Sequence, residues 1–223
     1  MISQQIQNIT KQFPEHVQLV VVSKTHPPQV ITEAYDCGIR IFGENKAQEL
    51  VSKYNELPKD IQWHFIGHLQ RNKVKDIAPF VSLIHGVDSY RLLARIDKEA
   101  QKNNRIIPCL LQFHIAEEST KFGLHKDEAH ELITLYKENE LNHVSIQGVM
   151  GMATYTDNTN QIREEFAGLR EIFTHLKTTY FKDKPEFKHI SMGMSQDYKI
   201  AIEEGSTLIR IGSTIFGERD YTK

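Results

Sequence analysis

Short apolar runs alternate with longer amphipathic stretches along the whole chain. Because this alternation is typical of parallel strands joined by helical crossovers, we predict eight β/α units. The predicted strands cover residues 18–23, 39–43, 62–66, 82–87, 106–115, 144–151, 187–191 and 207–211. The predicted helices cover residues 28–37, 46–54, 90–103, 126–139, 160–180 and 196–203, and one more, residues 3–12, precedes the first strand.

Eight β/α units in 223 residues predict a compact (β/α)8 TIM barrel, with its active site at the carboxyl ends of the strands. The alternative is an open, doubly wound sheet. No Gly-x-Gly-x-x-Gly motif follows the first strand, which counts against the dinucleotide-binding form of that alternative. Since the chain has no linker and no literal repeat, we predict a single domain over residues 1–223.

Composition narrows the possible partners and location. With 27 basic and 29 acidic residues the net charge is -2, so we expect no general attraction to nucleic acid or to an anionic membrane. The basic segment 71–75 is interpreted as a solvated helix face. No apolar run approaches the roughly 20 residues of a membrane helix, and the first residues do not resemble a signal peptide, so we expect a cytoplasmic protein.

The two cysteines and the histidines give little support for metal binding. Cys37 lies in a predicted helix and Cys109 in a predicted strand, and no Cys-x-x-Cys pair is present. We therefore expect both residues to be buried free thiols. No closely spaced set of histidines and carboxylates suggests zinc or iron, so we predict that the chain holds no metal.

The first predicted strand ends in a lysine that shares a face with core side chains. Strand alternation places Val20, Val22 and Lys24 on one face. Desolvation at that place would lower the pKa of the Lys24 amine, and such an amine attacks aldehydes. We therefore expect an imine with a carbonyl cofactor or substrate. The alternative is a lysine that extends into solvent and forms a salt bridge.

The last two strand ends supply a candidate phosphate site. Barrels often bind phosphate with the loops that follow strands seven and eight. Here these loops contain Ser195, Gly212 and Ser213. Gly212 allows the backbone to approach a ligand, and Ser195 is expected to begin the next helix and to present its hydroxyl and the helix amides. A helix cap and a plain turn use the same residue types, so both interpretations stay open.

A buried arginine completes the pattern. Leu208, Arg210 and Gly212 share one face of the last strand, so the guanidinium lies among core side chains and needs a partner. That partner is either an internal carboxylate or a ring nitrogen of a bound cofactor. A reactive lysine, a phosphate site and a buried residue beside a ring nitrogen are together what pyridoxal 5'-phosphate requires. The combination is more specific than any one of its parts.

Five segments resemble the pyridoxal phosphate homeostasis proteins, a family also called proline synthase co-transcribed protein, which shares the barrel of the alanine racemase amino-terminal domain. They are residues 21–25 (VVSKT), 42–45 (FGEN), 63–73 (WHFIGHLQRNK), 191–197 (SMGMSQD) and 205–217 (GSTLIRIGSTIFG). These segments span almost the whole chain in the expected order.

The resemblance implies that Lys24 holds pyridoxal 5'-phosphate as an internal aldimine, with Asn45 near the ring and Arg210 facing the pyridine nitrogen. An arginine gives up its proton with difficulty, so the ring is expected to be a weak electron sink. For His64 the alternative is a hydrogen-bonded core histidine. The implied cofactor-binding residues are Lys24, Asn45, His64, Ser191, Met192, Ser195, Arg210, Gly212 and Ser213.

The resemblance further implies a non-enzymatic protein that stores, buffers or delivers pyridoxal 5'-phosphate, with apo-enzymes as possible recipients. The alternative is an amino acid racemase or a related pyridoxal enzyme. Racemisation needs a second acid/base, which alanine racemase takes from an additional domain of its partner subunit. The chain ends at Lys223, soon after the eighth predicted strand, so we expect no such domain and a monomer. Tyr155 and His68 are the possible substitutes.

Lys121 is a second lysine of interest. It lies in the predicted loop 118–123 that follows the fifth strand, and the barrel topology brings that loop to the same rim as Lys24. One hypothesis makes Lys121 a transient acceptor of the cofactor. The alternative is an ordinary solvated loop lysine.

Overall fold

Eight parallel strands pair in chain order, and β8 pairs with β1 to close a barrel. The computed structural model of the protein describes residues 1–118 and 121–217. The predicted (β/α)8 barrel is therefore confirmed. The strands are β1 Gln18–Val22, β2 Ile41–Glu44, β3 Gln62–Phe65, β4 Leu83–Val87, β5 Ile107–Gln112, β6 Val144–Met150, β7 His189–Ser191 and β8 Leu208–Ile211.

Helices connect the strands around the outside of the barrel. They are α1 Ile2–Thr10, α2 Pro28–Asp36, α3 Ala47–Glu56, α4 Val74–Ile77, α5 Tyr90–Lys102, α6 Glu128–Glu138, α7 Thr159–Thr179, α8 Tyr198–Glu203 and α9 Ser213–Phe216, with a 3-10 turn at Arg71–Lys73. The predicted helix before the first strand is present as α1. Helix α9 was not predicted, because four residues are too few to show a helical period, whereas the segment 71–75 that was interpreted as a helix face covers the 3-10 turn and the start of α4.

Side chains of the strands form two apolar layers. Residues of alternating position point into the barrel or outward against the helices. The inner layer contains Val20, Leu110 and Leu208, and the outer layer contains Val21 and Trp63. Because residues two apart share a direction, the side chain that follows Leu208 by two positions, Arg210, faces the barrel interior.

The expectation of two buried thiols is wrong for Cys37. Helix α2 ends at Asp36, and Cys37 lies exposed at its carboxyl end, where Sγ donates a hydrogen bond to the carbonyl of Glu33. Cys109 in β5 is buried, and burial raises the pKa of its thiol. A sequence position at the last turn of a helix does not fix on which side of the helix the residue lies.

No helix in residues 1–118 or 121–217 combines the length and the apolar character needed to cross a membrane. The prediction of a single domain over residues 1–223 stays a prediction, since residues 218–223 lie outside the described residues.

Candidate functional site

A cavity of about 790 Å³ lies at the carboxyl ends of the strands. Loops that follow β1, β2, β3, β5, β6, β7 and β8 all contribute to it. The predicted site residues that line the cavity are Lys24, Asn45, Ser195, Arg210, Gly212 and Ser213. The structure thus brings together on one surface residues that are separated by up to 189 positions in the chain, from Lys24 to Ser213.

Lys24 lies two residues after the end of β1. Its side chain is half-buried and lines the cavity together with Val22, as expected for two residues on the same face of a strand. Val20, one further step along the same face, packs in the inner apolar layer. The lysine therefore stands where the apolar interior of the barrel meets the open rim. Its lowered pKa stays a prediction.

Asn45 and Gly67 bring the loops after β2 and β3 into contact. A Cβ at Gly67 would lie 2.5 Å from the carbonyl oxygen of Asn45. Only a residue without a side chain allows two backbones to approach so closely. Gly67 therefore fixes where Asn45 stands on the cavity wall.

Two serine hydroxyls meet at the candidate phosphate site. Ser213 Oγ donates a hydrogen bond to Ser195 Oγ over 3.0 Å, so the loops after β7 and β8 face each other. A Cβ at Gly212 would lie 2.9 Å from the carbonyl oxygen of Val22, which explains the glycine at this position. The prediction that Ser195 begins the next helix is wrong.

Helix α8 begins instead at Tyr198. The carboxylate of Asp197 accepts a hydrogen bond from the backbone N–H of Met194 over 2.5 Å and closes a turn before the helix. Burial raises the pKa of Asp197, and this hydrogen bond and Arg210 oppose the increase. Because the turn uses three residues, Ser195 stays in the loop and its hydroxyl faces the cavity lining rather than the helix amides.

Arg210 is almost fully buried beneath this loop and also lines the cavity. Its Nη1 donates to Ser191 Oγ over 2.6 Å, and its Nη2 donates to the carbonyl of Gly151 over 3.1 Å. Burial lowers the pKa of Arg210 to about 10, so the guanidinium is charged at neutral pH. The two hydrogen-bond partners are neutral oxygens, and Asp197 opposes the decrease in pKa only as a nearby charge.

A chain of buried hydrogen bonds extends from Arg210 through the barrel interior. Ser191 Oγ lies 2.9 Å from His85 Nδ1, and His85 Nε2 lies 3.0 Å from His64 Nδ1. Burial lowers the pKa of His64 to about 3 and that of His85 well below its usual value, so both imidazoles are neutral. Ser191 Oγ can accept from Arg210 and donate to His85, so its hydroxyl joins the charged guanidinium to the two neutral imidazoles.

His64, Ser191 and Met192 lie beneath the cavity lining. His64 has the hydrogen-bonded core environment that the sequence left open as the alternative. The side chain of Met192 packs in the outer apolar layer, because it follows Ser191 by one position and points to the opposite face. His85 was not predicted, although a histidine inside the apolar run 83–87, two positions from Leu83, is a detectable signal.

Lys121 is tied into the rim rather than solvated. Its Nζ donates to the carbonyl of Ala153 over 2.6 Å and lies 2.9 Å from Glu118 Oε1. The backbone N–H of Tyr155 donates to the same carboxylate and lowers the pKa of Glu118 to about 2. Ser119 and Thr120, which belong to the predicted loop 118–123, lie outside the described residues.

Comparisons with known proteins identify the family of the chain. The family model described as the alanine racemase amino-terminal domain matches residues 1–220. A pyridoxal phosphate homeostasis protein of Aquifex aeolicus is 43% identical over 91% of this chain and 87% of its own length. The Escherichia coli protein of the same name is 36% identical over 94% of this chain and 89% of its own length. The chain belongs to the pyridoxal phosphate homeostasis protein family.

Solved structures that are similar to this chain have the same barrel. PipY of Synechococcus elongatus, 33% identical, superimposes with a TM-score of 0.89 without pyridoxal phosphate, over 97% of this chain and 100% of PipY. With pyridoxal phosphate bound, PipY superimposes with a TM-score of 0.84 over the same shares. An alanine racemase of Clostridium difficile, 11% identical, shares the fold alone, with a TM-score of 0.76 over 99% of this chain and 60% of the racemase.

Proposed function

We propose that the chain binds pyridoxal 5'-phosphate, attaches it covalently at Lys24, and serves to store, buffer or deliver it without robust catalysis. One observation carries the proposal: Lys24, the buried Arg210 and the paired hydroxyls of Ser195 and Ser213 face a single cavity. The cofactor supplies an aldehyde that a lysine amine can bind covalently with loss of water. Family membership supports the same ligand.

The residues of the cavity fit this group. An aldehyde needs an amine, which Lys24 supplies, and a phosphate needs hydrogen-bond donors, which Ser195 and Ser213 supply from two facing loops. The missing Cβ of Gly212 leaves the backbone accessible beside them. Asn45 also lines the cavity and is held there by its contact with Gly67. A volume of about 790 Å³ lies in the range of small-molecule sites.

Arg210 favours a carrier over an enzyme. The guanidinium is charged, donates hydrogen bonds and accepts none, so it can donate to a ring nitrogen but leaves that nitrogen unprotonated. Its position is fixed by Ser191 and by the carbonyl of Gly151. An unprotonated pyridine withdraws electrons weakly, which disfavours reactions that need a strongly stabilised carbanion.

The racemase alternative has a specific observation behind it, because Tyr155 and His68 both line the cavity. Tyr155 is 80% exposed, however, so packing does not hold its hydroxyl opposite Lys24. The ring of His68 stacks on the ring of Phe122, and His68 Nδ1 lies 3.4 Å from Asp88 Oδ2. A general acid/base needs a fixed position within hydrogen-bond reach of the proton that it transfers.

The experiment is an absorption spectrum of the protein with pyridoxal 5'-phosphate, before and after borohydride, compared with Lys24→Ala and with Lys121→Ala. We expect a visible band in the wild type and in Lys121→Ala, and, after reduction, a peptide whose mass increase maps to Lys24. If the wild type and Lys24→Ala both match free cofactor, the proposal fails. Steady racemisation of a common amino acid that disappears in Lys24→Ala would instead establish the enzyme.

Several expectations stay predictions. They are a monomeric state, a cytoplasmic location, apo-enzymes as recipients, and the absence of metal, nucleic acid and membrane partners. Lys121 as a transient acceptor belongs with them; its place in the cavity lining, beside the carbonyl of Ala153, supports the proposal.

A further inference from the structure

A polar cluster with a buried centre lies behind the cavity, on the outer side of β2. We name it the Lys53 cluster, and it consists of Ser23, Thr25, Glu44, Glu49 and Lys53. Lys53 Nζ lies at its centre and donates to Glu44 Oε1 over 2.7 Å, to Glu49 Oε1 over 2.7 Å and to the carbonyl of Ser23 over 2.8 Å. All three protons of the ammonium group are therefore used.

Oε1 of Glu44 and Oε1 of Glu49 each accept a second hydrogen bond, and both of these bonds come from the chain around Lys24. Ser23 Oγ donates to Glu44 Oε1 over 2.6 Å. The backbone N–H of Thr25 donates to Glu49 Oε1 over 2.5 Å. Lys53 thus holds, directly or through one carboxylate, the residue before Lys24 and the residue after it.

The burial of these charges shows how strongly the cluster is constrained. Lys53 is 4% exposed and Glu44 is fully buried, and lysine and glutamate are rarely buried unless they are paired. Burial raises the pKa of Glu44, whereas Lys53 and the hydroxyl of Ser23 lower it. Removal of one partner leaves an uncompensated charge in the protein, so the members keep one another in place.

The backbone at Lys24 needs such support. The N–H of His26 donates to the carbonyl of Ser23 over 3.1 Å, so residues 23–26 form a turn with Lys24 at its second position. Thr25, at the third position, has φ +70°, a left-handed conformation that glycine or asparagine adopts far more readily than a β-branched residue. Such a conformation persists only where the surroundings hold it, and the contact with Glu49 does so.

We propose that the Lys53 cluster is a positioning device that fixes the turn around Lys24 and thereby aims its amine into the cavity. This inference rests on the proposed function of Lys24. No member of the cluster lines the cavity, so each acts through Lys24 rather than on the ligand. A reacting group that is misplaced by about 1 Å can lose a factor of about 100 in rate. Loss of the cluster should therefore lower the rate constant of covalent attachment at Lys24 and leave the shape of the cavity almost unchanged.

The test removes one contact of the cluster and then relieves the strain that the contact opposes. Glu49→Ala deletes the acceptor of the Thr25 N–H, whereas Glu49→Gln keeps an acceptor oxygen. Thr25→Gly makes positive φ easy, and the double variant Glu49→Ala/Thr25→Gly restores the turn without the carboxylate. Glu56→Ala is the matched control, because it removes an exposed carboxylate of the same helix that bonds Ser52.

The readouts are the rate constant of the visible absorption change on mixing with pyridoxal 5'-phosphate, and the labelling of Lys24 by formaldehyde and borohydride without cofactor. For Glu49→Ala we expect the rate constant of attachment to fall about tenfold, with a parallel decrease in labelling of Lys24. Glu49→Gln and Glu56→Ala should stay within about twofold of the wild type, and Thr25→Gly in the Glu49→Ala background should recover about threefold.

The outcomes separate this inference from the proposed function. If the wild type itself shows no attachment at Lys24, the proposed function fails; formaldehyde labelling then still tests the positioning of the amine. If the wild type attaches cofactor and Glu49→Ala does so at the same rate, the positioning inference is overturned. A slow Glu49→Ala variant that Thr25→Gly does not rescue also overturns it, since the defect then lies in α3 and not in the turn. Thermal unfolding of each variant verifies that the barrel is folded.

Discussion

Replacement of His64 by leucine should make the stability of the protein less sensitive to acid. His64 is buried in the barrel interior, and burial lowers the pKa of its imidazole to about 3, whereas a free histidine titrates near 6.5. As the pH falls below 6.5, the unfolded chain binds a proton at this residue and the folded protein does not. The folded state therefore loses stability as the pH falls from about 6.5 toward 3.

The magnitude follows from the two pKa values. Between pH 7 and pH 5, proton binding by a free imidazole stabilises the unfolded chain by about 2 kcal/mol, and a folded-state pKa of about 3 leaves almost no offsetting gain. His64→Leu should abolish this contribution. The variant should also be about 1–3 kcal/mol less stable at both pH values, because the imidazole of His85 loses its hydrogen-bond partner.

The assay is urea unfolding of the cofactor-free protein at pH 7 and at pH 5. The quantity compared is the decrease in unfolding free energy between the two pH values, so a constant loss of stability cancels. His16→Gln, which removes an exposed imidazole before β1, is the control for the substitution itself. If His64→Leu loses as much stability between pH 7 and pH 5 as the wild type, to within about 0.5 kcal/mol, then His64 is not a buried neutral group and the reasoning is refuted.

Three further predictions concern other positions. Gly67→Ala should weaken cofactor binding about tenfold in a spectroscopic titration, because the new Cβ would lie 2.5 Å from the carbonyl oxygen of Asn45; unchanged affinity would contradict this role. Ser206→Ala should lower the unfolding free energy by about 1 kcal/mol in urea, since its hydroxyl donates to the buried carbonyl of Met192 over 2.7 Å; a neutral substitution would count against this. Lys121→Ala should slow the recovery of activity when loaded protein is mixed with a pyridoxal-dependent apo-enzyme, with attachment at Lys24 unchanged, and an unaltered recovery rate would remove Lys121 from the pathway.

The positions of Lys24 and Arg210 were predictable because they depend on strand alternation and on closure of the barrel. A strand fixes the direction of every second side chain, so Val20 and Leu208 indicate where the charged residues two or four positions later point. Closure of the barrel then brings both strands to one rim, since β1 and β8 pair. Local pattern and fold class together were sufficient for these two residues.

The Lys53 cluster was not predictable in the same way. Glu44 belongs to a segment that the sequence singled out, yet its side chain points outward, away from the cavity. Its contacts with Lys53 and Ser23 span 9 and 21 positions and depend on how α3 packs against β1 and β2. The predicted start of α8 was wrong for a related reason. The carboxylate of Asp197 accepts a hydrogen bond from the backbone N–H of Met194, and the helix begins only after this turn. Sequence patterns do not show which distant polar groups meet.

The cavity joins the first strand of the barrel to the last. Lys24 follows β1, whereas Arg210 and Ser213 belong to β8 and to the helix after it. During synthesis, Lys24 is therefore translated early, and almost the whole chain must follow before Arg210 and Ser213 complete the site. A ligand that contacts residues after β1 and after β8 binds only the closed barrel. At a concentration 100 times its dissociation constant, such a ligand adds about 2.7 kcal/mol to the stability of the folded state. Binding of the cofactor in this cavity would thus require the closed barrel, and a truncated or partly folded chain lacks the complete site.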